Sequence, residues 1–391
     1  MSARDPLGIN TGPEFALDVV LDAARAEAGL DDFGDDGFVE ALAKMLETVG
    51  AEVRFKPAGL LNFKLMNQRL LVNRLRYQQD VTRHPEILAE DVSDPIIILG
   101  MPRTGTTKLQ RMMSADTNAI SLLLWMAQNP ARFPGELPGQ PDQRIAFARA
   151  IQDAQAKQNP DFLASHERTA EDADEDSDLL LGAFDYVMLY IIDPAPSFLA
   201  WVQERSRLPA YRYQMRMLQY LQWQQGGKQN RHWVLKNPGH IGSLDAIVEV
   251  YPRATLLELH RDLVEVIPSY CRLIESIHTE LFEGVDAHEV GRDTLRYWGP
   301  EMRRHARQRS RLADRLSILD FPYMEVVKDP MTVIRAAYER ADIRLTDAGR
   351  QSMLEWADEN AQHRHGTPAY SLERYGLTVE MIDEAFAASN P

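Results

Sequence analysis

Residues Asp94–Met113 read DPIIILGMPRTGTTKLQRMM, and this stretch decides the fold. Four apolar residues, Ile96 to Leu99, run into Gly100; a polar loop follows, and helix-forming residues continue from Lys108. The pattern predicts a buried strand, a glycine-bearing turn and a helix N-terminus. Such a unit aims backbone N–H groups and the positive end of a helix dipole at an anion, so it predicts a phosphate cradle.

Gly100 and Gly105 have the spacing of the first two fixed positions of the phosphate-binding pattern GxxxxGK[ST]. The next position holds Thr106 instead of Lys, followed by Thr107, and the cation inside the loop is Arg103, ahead of the second glycine. Without the Lys-Ser/Thr pair the usual magnesium ligand arrangement is lost, which argues against ATP and magnesium. The histidines elsewhere show no metal-ligand spacing, and no metal is expected.

Working outward, the 391 residues carry 45% apolar and 26% charged side chains, ordinary values for a globular protein. The formal charge of −15 argues against a nucleic-acid-binding surface, which needs a basic face. It leaves room for a small anionic ligand held by a local cluster of cations. Cys271 is the single cysteine, so no intramolecular disulfide forms, which suits a reducing compartment. The start MSARDPLGINTG lacks the apolar core of a signal peptide, and the most apolar window, Leu179–Ile192, is too short to span a membrane and contains Asp185. It reads as a buried helix, and a cytoplasmic protein without stable membrane insertion is expected.

Residues 1–90 form an expected N-terminal helical annex, with helices over Phe15–Ala28, Phe38–Val49 and Leu60–Tyr77. Residues 91–391 form the second unit. His232–Leu235 and Thr255–Leu259 read as strands around a helix at Gly242–Tyr251, the unit that builds a parallel sheet. A short strand at Ile318–Leu319 and helices at Thr332–Ala341 and Asp347–Gln362 follow. The class is therefore α/β: a P-loop-type central parallel sheet flanked by helices, with the annex and helical insertions. The acidic run ERTAEDADEDSD, Glu167–Asp178, reads as a solvated helix start whose carboxylates complement the dipole. Trp201, Tyr211, Tyr213 and Trp223 read as core aromatics on helices.

Four segments in this order, PIIILGMPRTGTTKL, HWVLKNPGHIGSL, YPRATLLELHRDLVEVIPSYCRL and HGTPAYSLERYGL, span roughly residues 95–377. Together they resemble the sulfotransferases that use 3′-phosphoadenosine 5′-phosphosulfate (PAPS), in particular their broad bacterial branch. The resemblance implies that Arg103, Thr104, Gly105, Thr106 and Thr107 hold the 5′-phosphosulfate. A lysine is common at the Arg103 position and contacts the bridging oxygen; arginine keeps the charge but is not an equivalent donor. Arg261 and Ser269, eight residues apart, match the family's 3′-phosphate pair. Arg364 and Gly366, beside His365 and Tyr370, match a C-terminal loop that closes over the nucleotide.

Sulfuryl transfer needs a cation near the leaving oxygen and a base near the acceptor hydroxyl. Lys236, 25 residues before Arg261, matches the family's lysine at the end of its strand. The family's catalytic histidine stands two residues beyond that lysine; here that position is Pro238, and the histidine is His240. His240 is the first choice for the base and His166 the second, with Glu175 of the acidic run third.

The expected activity is transfer of a sulfuryl group from PAPS to a hydroxyl, or less readily an amine, of a small organic acceptor, without metal. The alternative is a P-loop kinase or other nucleotide-using enzyme with a degenerate loop. A non-catalytic nucleotide-binding protein is the third reading. Trp125, Met126, Phe184, Met188 and Trp201 hint at an apolar alcohol or phenol as acceptor. A homo-oligomer is admitted, and no nucleic-acid partner is expected.

Overall fold

The computed structural model describes residues 12–136, 142–158, 169–186, 195–360 and 371–387. Its centre is one sheet of five strands: β1 Ile96–Leu99, β2 Ala119–Ser121, β3 His232–Lys236, β4 Thr255–His260 and β5 Ile318–Pro322. The spatial order is β2-β3-β1-β4-β5, and every neighbouring pair is parallel. The chain lays down β1 in the middle, builds β2 and β3 on one side, then crosses back for β4 and β5. In open α/β sheets, ligands bind beyond the carboxyl ends of the strands where such a reversal occurs, here around β1.

Alternation along the strands divides the core. Ile97, Leu99, Leu235 and Leu256 face one layer, and Ile96, Ile98, Val234 and Leu257 the other. The first layer holds the helices Phe38–Glu52, Pro57–Arg83, Leu208–Gln224 and Ala287–Arg311; the second holds Thr106–Ser114, Pro330–Arg340 and Asp347–Glu359. Helices on both faces explain why the strands read as apolar runs rather than alternating ones. This is the P-loop-type parallel sheet flanked by helices that the sequence predicts. Leu42, Leu71 and Leu75 of the N-terminal helices lie in the same apolar cluster as Ile97 and Leu235.

Several expectations are revised. β2 is three residues long, too short for any periodicity to mark it, and β5 runs to Pro322, a proline tolerated at the end of an edge strand. The expected helix over Leu179–Ile192 is only Ser177–Leu181 among the described residues; residues 187–192 lie outside them. The chain turns at Gly182, where an added Cβ would sit 2.3 Å from the Tyr213 ring, and Phe184 takes a left-handed φ of 60°. Pro268 lies inside the helix Leu263–Leu281, past its first turn, and withholds one helical hydrogen bond. The acidic run is partly core: Asp174 and Asp176 are buried, whereas Glu171 is exposed. Among the described residues no helix is long and apolar enough to cross a membrane.

Candidate active site

β1 ends at Leu99 and the cradle begins. Gly100 passes so close to β4 that a Cβ would lie 2.7 Å from the Leu259 carbonyl oxygen. Gly105, at φ 87°, caps the helix Thr106–Ser114, and a Cβ there would meet the Tyr323 ring at 3.1 Å. Between them Arg103 takes φ 71°, which turns its side chain and carbonyl toward β4's end. The buried Thr104 hydroxyl donates to the Met101 carbonyl at 2.6 Å and locks the loop from within. At the helix start the N–H groups of Thr106, Thr107 and Lys108 have no intrahelical acceptor. The Leu109 N–H is the first to close a helical bond, on Gly105 at 3.2 Å.

The second half of the cleft comes from β4. Asp262 caps the helix Leu263–Leu281 by accepting the Val264 N–H at 2.9 Å, which fixes Arg261 between strand and helix. Arg261 donates to the Arg103 carbonyl at 3.0 Å and, through Nε and Nη2, to Glu265 Oε2 at 2.9 and 2.8 Å. Its guanidinium lies over the Tyr323 ring, 4.4 Å from the centroid. Two turns into the helix, the buried Ser269 hydroxyl accepts from Arg103 Nε at 3.0 Å. Arg103, Gly105, Thr106, Thr107, Glu175 and Arg261 thus line one cleft of about 210 Å³, together with Tyr323 and Pro238.

β3 delivers the third component. Register pairs Lys236 with Ile98, so its ammonium emerges beside the cradle. It is buried and donates to Glu175 Oε1 at 2.7 Å. Behind this pair lies a buried polar chain. Asp176 is fully buried; it accepts from Asn237 Nδ2 at 3.1 Å and from His240 Nε2 at 3.0 Å, and its N–H donates to the Lys236 carbonyl at 3.2 Å. Burial pushes the Tyr211 hydroxyl well above its ordinary range, so it stays protonated and donates to His240 Nδ1 at 2.7 Å. With Nδ1 accepting, the ring's N–H is assigned to Nε2, facing Asp176.

Arg103, Gly105, Thr106, Thr107 and Arg261 are brought to one cleft, and Ser269 is tied to it through Arg103. Thr104 stands behind the loop, and Lys236 behind Glu175. His240, the first choice for the base, has no solvent-exposed surface and both nitrogens are engaged, because the Pro238–His240 turn carries the ring into the core. His166, Arg364, His365, Gly366 and Tyr370 lie outside the described residues. Tyr323, missed in the sequence, supports both Gly105 and Arg261; its only signal is its position just past β5. One cluster among the described residues has metal-ligand character, Glu258, His260 and Asp320. Arg309 bridges the two carboxylates at 2.6 and 2.7 Å, so a guanidinium already supplies the cation there.

A sequence profile described as the sulfotransferase family matches residues 95–347. The structure is similar to sulfotransferase STF1 from Mycobacterium tuberculosis H37Rv, with 28% identity, a TM-score of 0.81, and coverage of 95% of this chain and 98% of that one. It is equally similar to sulfotransferase STF9 from Mycobacterium avium, at 29% identity and a TM-score of 0.81, over 99% of this chain and 97% of that one. No curated protein sequence gave a significant match. With the family profile covering residues 95–347 and the fold matching over nearly the whole length, the chain belongs to the sulfotransferase family.

Proposed function

We propose that this enzyme moves a sulfuryl group from PAPS to the hydroxyl of a small organic acceptor, without a metal. One observation carries the reading: Arg261, at the end of β4, shares a single cleft with Arg103, Gly105, Thr106 and Thr107 of the loop from β1, and Ser269 is joined to it by its bond with Arg103. A ligand with anions at both ends of an adenosine fits that pairing, whereas a nucleotide phosphorylated at one end leaves Arg261 unused. Thr106 stands where a triphosphate-binding loop has the lysine that reaches the β- and γ-phosphates, which supports a donor other than ATP.

The donor brings an activated sulfuryl group on a phosphosulfate anhydride; the chain supplies the rest. The N–H groups at the start of the helix Thr106–Ser114, with Arg103, hold the 5′-phosphosulfate end. Arg261 and Ser269 hold the 3′-phosphate. Glu265 is exposed, so it swings off Arg261 when a phosphate takes its place. Glu175 reaches the cleft and replaces His240 as the group that takes the acceptor proton, with Lys236 holding it through one oxygen. As the acceptor oxygen bonds to sulfur, the S–O bond to the phosphate breaks and the electron pair leaves on that phosphate. Arg103 and Lys236 offset the charge that grows there. Asp176 and His240 position Glu175 from behind. Arg364 and Gly366 are assigned to the 3′-phosphate end on their sequence motif alone, and an apolar alcohol or phenol is the favoured acceptor.

The test compares ligands by thermal stabilisation, since a ligand that binds only the folded state raises the melting temperature. 3′-Phosphoadenosine 5′-phosphate (PAP) is expected to raise it, and ATP with magnesium is not. A shift with ATP–magnesium alone would replace the proposal with a kinase-like reading.

A further inference from the structure

A second cavity, of about 640 Å³, opens between the turn Arg205–Arg207, the turn Gly242–Ser243 and the helix Ala287–Arg311. Among the described residues it shares none with the donor cleft. Five guanidiniums of the described residues line it, those of Arg205, Arg207, Arg304, Arg307 and Arg311, in a chain whose net charge is −15.

Their partners do not account for all of that charge. Arg205 pairs with Glu40 at 3.0 Å, Arg207 with Glu301 at 2.7 Å, and Arg311 with Asp245. Arg304 donates to the Gln203 carbonyl. Neither Arg304 nor Arg307 has a carboxylate in ion-pair range among the described residues. Burial, and then the neighbouring Arg207 and Arg307, push the Arg304 guanidinium down, with Glu301 and Asp245 offsetting this only in part. Arg207 is itself buried, and its Nε finds no acceptor among the described residues. A buried donor left unpaired costs about 1–3 kcal/mol, so its presence beside a cavity points to an acceptor supplied from outside. Of the lining carboxylates, Asp245 and Glu249 are engaged by Arg311 and Arg315, and Glu204 is exposed.

We infer that this cavity binds a small organic molecule carrying a phosphate or sulfate group, gripped by Arg207, Arg304 and Arg307. Arginine forks match a tetrahedral oxyanion, and the volume lies in the range of small-molecule sites. The site is wired to the catalytic turn. Arg207 Nη1 donates to Ser243 Oγ at 3.0 Å, and Ser243 Oγ donates to the Gly239 carbonyl at 3.1 Å. The same short turn carries Pro238 into the donor cleft and His240 onto Asp176. A ligand that draws on Arg207 therefore biases the segment that positions Glu175, and donor binding and cavity binding are coupled reciprocally.

Calorimetric titration of the full chain tests this, with and without saturating PAP, using glucose 6-phosphate, 4-nitrophenyl sulfate, inorganic phosphate and inorganic sulfate as probes. At least one ester is expected to bind saturably at one site and to keep that site when PAP is present. Arg304→Ala/Arg307→Ala alters half-buried and exposed positions, so folding should survive, and a melting curve checks it. That variant should weaken the ester by roughly 10-fold or more and leave PAP affinity unchanged. Undiminished ester binding in the variant, displacement of the ester by PAP, or no saturable binding of any probe would overturn the site. Inorganic ions binding as tightly as the esters would overturn its assignment to an organic ligand. Because the variant is read against the ester alone, the outcome stands whether or not PAP is the donor.

Discussion

Arg261→Ala tests the donor assignment at the group that separates PAPS from other adenosine ligands. Two charge-assisted hydrogen bonds from the guanidinium to a 3′-phosphate contribute about 1.5 kcal/mol each. Against this stands the exposed pair with Glu265, four residues on, which binding must break at a cost of about 0.3–0.5 kcal/mol. The net loss, about 2.5 kcal/mol, predicts PAP binding roughly 50–100-fold weaker in the variant. Folding suffers less. The bond to the Arg103 carbonyl and the stack on Tyr323 together contribute about 1–2 kcal/mol. Calorimetry with PAP and with adenosine 5′-phosphate, which lacks the 3′-phosphate, separates local from general damage. The expected result is a large loss for PAP and almost none for adenosine 5′-phosphate. Equal losses for both, or an unchanged PAP affinity, would refute the pairing of Arg261 with the 3′-phosphate.

Glu175→Gln should lower kcat by roughly 10²–10⁴ while PAP affinity stays nearly constant, read by steady-state kinetics beside calorimetry; an unchanged kcat moves the base elsewhere. Gly105→Ala should cost about 1–2 kcal/mol for its left-handed φ, plus the contact with Tyr323. Gly135→Ala, at φ 83° with nothing within 4 Å, isolates the backbone part, and equal melting-temperature losses would mean that Tyr323 yields freely. Asp185 is half of a pH test: burial pushes its carboxyl up from 3.8 to about 7, and Oδ1 has no hydrogen-bond partner among the described residues. With the folded value raised, the stability it allows is present below pH 3.8 and lost as pH rises through about 7. Asp185→Asn should therefore melt at the same temperature as the parent near pH 4 and higher at pH 8, by up to about 4 kcal/mol; a gap independent of pH would contradict this.

The sequence made the cradle and the strands at the sheet's centre legible because both are local. β1, β3 and β4 are apolar runs closed by glycine, proline or charge, and the loop's glycines answer to backbone geometry within a few residues. The spacing of Arg261 and Ser269 was legible for a similar reason, since strand end and helix turn fix it. The surroundings of His240 were not. His240 has the chemistry of a base, but its direction depends on Tyr211 and Asp176, which lie 29 and 64 residues away. The acidic run misled in the opposite sense. Its composition describes a solvated face, and only the contacts with β3's end show Asp176 buried and Glu175 turned to the cleft. β2 and Tyr323 belong to the same class, positions defined by what packs on them rather than by their neighbours in the chain.

Sheet register explains why these distant parts meet at one end. Ile98 lies beside Lys236 on one flank and beside Leu257 on the other, so the chain leaves β1, β3 and β4 within two or three residues of the same level. Parallel neighbours lie about 4.8 Å apart, and three strands therefore deliver the cradle, Lys236 and Arg261 across about 10 Å without any long loop. A one-residue slip of β3 would send Lys236 to the face that Trp233 and Leu235 now occupy, and put Leu235 where Glu175 now finds its partner. Both faces of β3 are apolar, with Val234 in one core and Leu235 in the other, so the register is held by the buried Trp233 indole, whose Nε1 donates to Gln222 at 3.0 Å. The packing that stabilises the sheet is thus also what aims the lysine, so variants of Val234 or Leu235 that preserve volume should leave activity intact, whereas truncating the Trp233 indole should cost activity as well as stability.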